Sequence, residues 1–149
     1  MKLAVLTPNV TALAQPSAND IAELARRGYR SIIGNRPEGE SDDQPAWTEL
    51  EAAAAAHGLE ARHIPVVIGQ ITDQQVEEFR RSLETLPKPI AVFCRSGTRA
   101  ALLWALANQA NLTVDERIGI AGKEGFDLEP FRQRLSREDG RADADGSSG

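Results

Sequence analysis

The chain carries one cysteine, and its neighbours decide what it can do. Cys94-Arg95-Ser96-Gly97-Thr98-Arg99 follows the apolar run Ile90-Ala91-Val92-Phe93 and leads into Leu102, Leu103 and Leu106, spaced as one face of a helix. A strand, a tight turn and a helix in that order form an anion cradle. Gly97 allows the turn backbone angles that a side chain forbids. The helix that follows aims its unpaired amides and the positive end of its dipole at the same centre. Amides, dipole and arginines together favour a sulfur anion there over a neutral thiol. Arg99 offers a planar fork for an oxyanion, and Arg95 adds positive charge. Cys94 and Arg99 are therefore the expected catalytic pair. Arg95, Ser96, Gly97 and Thr98 form the expected substrate-binding loop, around an accessible thiol. The chemistry that fits is attack by sulfur on phosphorus or on another sulfur.

The rest of the chain reads as the scaffold for that loop. Ser17 and Asp20 have the spacing of a capping box, and Ile21, Leu24 and Ala25 then repeat at helical spacing until Gly28. Tyr29 to Gly34 reads as a strand with both faces covered, given adjacent Ile32 and Ile33. The polar stretch Asn35 to Gln44 reads as a long loop, and Pro45 opens a second helix that ends at Gly58. Glu60 to Val67 reads as a strand. Thr72 and Gln75 form a second capping box, before Val76, Phe79 and Leu83. Ile90–Phe93 counts as the fourth strand, and its helix extends from Arg99 to about Gln109. Further helices are expected over Val114 to Ala121 and around Glu129 to Leu135. Residues 1–138 form the expected domain, and 139–149, poor in apolar residues, the expected disordered tail. Alternating strands and helices predict an α/β three-layer sandwich with a mainly parallel sheet of four or five strands. Ligands of such sheets bind beyond the carboxyl ends of the strands, where Cys94 stands.

Composition narrows the function. One cysteine excludes an intrachain disulfide, and with two histidines it leaves little material for a zinc site, so no metal and no cofactor are expected. A net charge of −5 argues against sequence-blind nucleic-acid binding. No apolar run is long enough to span a bilayer, and the start is too short for a signal peptide, so no membrane contact and a cytoplasmic location are expected. Two further residues are candidates for the site. Arg36 follows the second strand and could help to hold an anion; Asp73 is the nearest carboxylate after Ile64-Pro65-Val66-Val67. His63 reads as a packed strand residue, His57 as a helix-end charge, and Trp47 and Trp104 as core anchors.

The stretch Phe93-Cys94-Arg95-Ser96-Gly97-Thr98-Arg99-Ala100 with Leu102-Leu103-Trp104 resembles the signature of the beta-lactamase-hydrolase-like, phosphatase-like domain family. Ile33-Gly34-Asn35-Arg36-Pro37-Glu38-Gly39-Glu40, His63-Ile64-Pro65-Val66 and Gly125-Phe126-Asp127-Leu128 extend the resemblance over roughly Leu3 to Leu135. It implies a fold like that of dual-specificity protein phosphatases. It also implies either phosphatase-like hydrolysis or sulfur transfer. Some members are fused to a metallo-beta-lactamase-type sulfur dioxygenase; here such a partner is expected to act in trans.

Three departures from the phosphatase pattern favour sulfur. Phe93 stands where those enzymes have His, and four residues rather than five separate Cys94 from Arg99. Ile68 follows Val67 where an acid is expected. The Cys-Arg-Ser-Gly-x-Arg form is that of single-domain rhodaneses, which carry sulfur as a cysteine persulfide, and such transfer needs no dedicated acid. The favoured reading is thus a sulfurtransferase taking a small anionic sulfur donor. The alternative is a phosphoric ester hydrolase working through a cysteinyl-phosphate. A non-catalytic anion- or persulfide-binding module is the third reading.

Overall fold

The structure is a computed structural model that describes residues 1–147. Its elements run β1 (Ala4–Thr7), β2 (Val10–Leu13), α1 (Ala18–Arg26), β3 (Ser31–Gly34), α2 (Trp47–Ala56), β4 (Glu60–His63), α3 (Asp73–Thr85), β5 (Ile90–Phe93), α4 (Thr98–Ala107), α5 (Val114–Lys123), a 3-10 turn (Glu129–Phe131) and α6 (Arg132–Ser147). The sheet order is β1-β2-β5-β3-β4. Three of the four pairings are parallel, and only the β1–β2 hairpin is antiparallel. The α/β sandwich with a mainly parallel sheet is therefore present. Cys94 follows the fifth strand rather than the fourth, because the N-terminal segment folds back on itself around Pro8 and Asn9.

Local chemistry explains most boundaries. Ser17 accepts the Asp20 amide at 3.1 Å while Asp20 accepts the Ser17 amide at 2.9 Å. Thr72 with Gln75 and Thr113 with Glu116 form the same reciprocal pair at α3 and α5. The strand from Glu60 is shorter than its apolar content suggests: β4 stops at His63, and Pro65, two residues on, has no amide to give a ladder.

Burial sorts the sheet into two faces. Leu13, Ile32 and Phe93 pack with Ile21 and Leu24 of α1 and Leu50 and Ala54 of α2. On the other face Ile33, Val92 and Cys94 pack with α3 and α4. All four residues of β5 are buried, each large one contributing about 1.5–3 kcal/mol. Gly34 is needed beside them, since a Cβ there would stand 2.7 Å from Trp47 and 2.8 Å from Phe93. Trp104 is 2% exposed, a core anchor as expected.

The expectation of disorder from residue 139 is not met through 147, where α6 continues; residues 148 and 149 lie outside the described residues. Charge, not apolar content, anchors this helix. Arg117, fully buried, donates to the Ala105 carbonyl and pairs with Asp139. Arg141 pairs with Glu138 and, at 2.6 Å, with Glu77 of α3. Glu138 is 1% exposed, so its partners matter. Removing residues 140–149 takes Arg141 away and leaves Glu138 with Arg80 at 3.6 Å. We expect that truncation to lower stability by about 1–3 kcal/mol in urea unfolding. A dispensable tail would give an unchanged midpoint.

Candidate active site

Three strand ends converge on the loop that holds Cys94. The Asn35 amide, just past β3, donates to the Phe93 carbonyl at 2.8 Å, and the Gln15 amide, just past β2, donates to Arg95 at 3.3 Å. Between these clamps the chain turns sharply. Gly97 has φ = 99°, a left-handed conformation that favours glycine, and a Cβ there would also meet the Phe126 ring at 2.9 Å. Its amide donates to Cys94 Sγ at 3.0 Å. No side chain caps α4, in contrast to the three capping boxes, so its first-turn amides are available to a bound anion. Cys94 is 1% exposed. The thiol thus lies on the floor of the loop rather than at an open mouth as expected, because its side chain points down into the α4 face of the sheet.

Arg99 is held at one edge of its guanidinium. Nη1 donates to Glu40 Oε2 at 2.6 Å and to the Val66 carbonyl at 3.1 Å, and Nη2 donates to Glu40 Oε1 at 2.7 Å. A guanidinium has five N–H groups, so Nε–H and one Nη2–H remain. Glu40, and then the Cys94 sulfur, hold Arg99 protonated above its ordinary value. The sulfur and the guanidinium therefore lie within electrostatic reach, as the Cys94 and Arg99 expectation requires.

The other candidates have different places. Arg36 is 5% exposed and fully engaged: Nε on Glu40 at 3.0 Å, Nη1 on Gln15 at 3.2 Å and Nη2 on Ser41 at 3.0 Å. It braces Glu40 and leaves no donor edge for substrate. Arg95 is exposed. Ser96 and Thr98 share a hydroxyl contact at 3.2 Å. Asp73 is exposed on the α6 side, 3.7 Å from Arg134 and 3.6 Å from Arg141, and is not brought to Cys94. His63 stacks on Trp47 with centroids 4.7 Å apart and bonds the Arg36 carbonyl at 2.9 Å, fixing the loop that carries Glu40.

Glu40 is the residue that sequence reasoning passed over as a site residue. Its partner lies 59 positions away, and it stands in a loop rich in acids, where pattern says nothing about pairing. The hydrogen bonds from Arg99, and secondarily from Arg36, pull its pKa down to about 2 against an ordinary 4.5. It is anionic at neutral pH and serves to position Arg99. A depressed carboxyl stabilises the folded site above its unfolded value and loses that contribution as pH falls through the folded one. The Glu40–Arg99 hold should therefore be complete above about pH 4.5 and fade toward pH 2. Glu40→Ala should weaken tungstate binding by about 10-fold, since Arg99 is then free to swing. Calorimetry at neutral pH checks this; unchanged affinity would mean that Arg99 orients itself.

Comparison with known proteins agrees with this geometry. Residues 2–111 match the family described as beta-lactamase hydrolase-like protein, phosphatase-like domain. A beta-lactamase hydrolase-like protein of Xylella fastidiosa (strain Temecula1) is 36% identical over 130 residues, which cover 86% of this chain and 30% of that protein. The chain thus spans under a third of the length of that curated relative. Among solved structures, a candidate phosphatase from Neisseria meningitidis Z2491 superposes with a TM-score of 0.83 at 32% identity, covering 93% of this chain and 99% of that one. PTPMT1 in complex with PI(5)P shares the fold, with a TM-score of 0.71 at 19% identity over 94% of this chain and 98% of its own. The fold is thus that of dual-specificity and tyrosine phosphatases, with a cysteine-type site at its conserved strand end. The chain belongs to the phosphatase-like domain family of beta-lactamase hydrolase-like proteins.

Proposed function

We propose that the chain is a thiol-dependent hydrolase of phosphoric monoesters, with Cys94 as nucleophile and Arg99 as holder of the transferring group. The supporting observation is the pinned guanidinium, whose Nη1 and Nη2 are tied to Glu40 while Nε–H and one Nη2–H stay unused near Cys94. Those two donors form a fork for two non-bridging oxygens. The Cys94 thiolate attacks phosphorus, a P–S bond forms, and the P–O bond to the leaving group breaks. Charge on the equatorial oxygens is met by Arg99 and by the first amides of α4. Water then attacks the cysteinyl-phosphate, breaking the P–S bond and returning the thiolate.

Neither Glu40 nor Asp73 suits proton donation to the leaving oxygen. Glu40 is anionic and occupied, and Asp73 pairs with α6. The substrate class is accordingly an ester with an acidic leaving oxygen, such as an aryl phosphate, because general-acid help is worth roughly 10²–10⁴ in rate. The same observation favours a second reading, sulfur transfer through a Cys94 persulfide, where a departing thiolate or sulfite needs no proton. That reading also carries the proposal of a sulfur dioxygenase acting in trans. The likeness to phosphatase-like proteins ranks hydrolysis first. Either reaction suits a reducing compartment, in which a lone cysteine stays a thiol.

The two readings part cleanly. Aryl phosphate turnover that vanishes in Cys94→Ser supports hydrolysis, and Arg99→Lys should then lose about 10-fold or more in kcat/KM, because an ammonium cannot form the fork. A gain of roughly 32 Da on Cys94 after thiosulfate, reversed by cyanide, with no phosphatase turnover, would put sulfur transfer first.

A further inference from the structure

A cavity of about 310 Å³ opens beside the Cys94 loop. Ser96 and Gln15 line it where the Gln15 amide meets the Arg95 carbonyl. Its room comes from small residues: Ala12, Ala14 and Gly125 stand where larger side chains would fill it. Phe126, whose ring lies over Gly97, forms an aromatic wall shared with the loop. The charged groups on the lining are Asp20, Glu124 and Lys2. Asp20 gives one carboxylate oxygen to the Ser17 amide at 2.9 Å. Glu124 and Lys2 form no side-chain hydrogen bond or ion pair among the described residues.

We propose that this cavity is a subsite for the non-reacting part of the substrate, and that this part carries an ammonium group. The inference rests on Cys94 being the nucleophile, as argued above, but not on whether phosphorus or sulfur is attacked. The reacting end of the ligand must be anionic, since Arg99 and the α4 amides await it. Beyond Ser96 the sign reverses, with two carboxylates against one ammonium. An aromatic face beside them adds attraction for a cation. The volume suits a group of a few heavy atoms, at the lower end for small-molecule sites. A ligand anionic at one end and cationic at the other therefore fits the two ends together, in one orientation.

The single cysteine allows a direct test with three methanethiosulfonates bearing 2-aminoethyl, 2-sulfonatoethyl or methyl groups. In each, the Cys94 thiolate attacks the sulfenyl sulfur, a disulfide forms, the S–SO₂ bond breaks and methanesulfinate departs with the electron pair. Each rate is divided by that of a free small thiol. The aminoethyl-to-sulfonatoethyl ratio should fall about 10-fold in the Asp20→Asn/Glu124→Gln double variant, and the difference should shrink at high salt. Asn keeps an acceptor for the Ser17 amide, and Glu124→Gln alone, at a side chain with no bonds to lose, should give part of the same fall. Ala14→Phe, at an exposed position, should slow the aminoethyl reagent and leave the methyl reagent unchanged. A ratio that does not move with the carboxylates overturns the subsite while Cys94 stands. A native Cys94 that ignores all three reagents overturns the nucleophile reading, and the subsite with it.

Discussion

A guanidinium at the end of a flexible side chain is a poor tool until something fixes it. Arg99 carries three or more rotatable bonds' worth of freedom, roughly 2 kcal/mol of rotamer entropy that any ligand would otherwise have to overcome. Glu40 removes that freedom in advance with two short charge-assisted bonds, and Arg36 fixes Glu40 in turn from a buried position. His63 holds the carbonyl of Arg36, and Trp47 holds the ring of His63. Each member is restrained by a neighbour closer to the core, so the order of the hydrophobic interior reaches the cradle through a chain of polar contacts. Removing the innermost stack would be felt at the sulfur, several side chains away.

The sheet gives that chain its anchor. β5 lies at the centre with parallel neighbours on both sides, so the residue after it emerges from the most constrained part of the backbone. Registration of Leu13 and Gly34 with Phe93 brings the ends of β2 and β3 level with the end of β5. Gln15, Asn35 and Cys94 consequently meet although they are far apart in sequence. Precision of this kind suits a site built from backbone amides, which cannot be adjusted by side-chain rotation.

How much of this could be read in the sequence depends on the range of the interaction. The strand, turn and helix around Cys94 were legible because every signal is local: an apolar run, a glycine, a helical repeat. Two capping boxes were legible for the same reason. Glu40 was not, because its role exists only once two distant segments meet, and a glutamate in an acidic loop looks like solvated charge. The helical order of α6 was hidden likewise; its alternating charges have no apolar stripe, and only Glu77 and Arg117 on other helices explain it. Asp73 shows the converse. Its place in the first turn of α3 was legible, and that structural role, with its ion pairs to α6, accounts for it.

The outer strands differ in character from the centre. β4 presents Glu60 and Arg62 with partial exposure along an unpaired border, and β1 at the opposite border carries an irregular register between Val5 and Thr7. Charged side chains and a local irregularity both discourage another chain from adding itself to a sheet. The consequence concerns self-association. Two borders that resist strand addition leave the interior ladder closed at five strands, so crowding of many copies in a cell has no template from which to build aggregates. The molecule can thus keep a buried thiol and several hydrophobic strands without becoming a seed for its own precipitation.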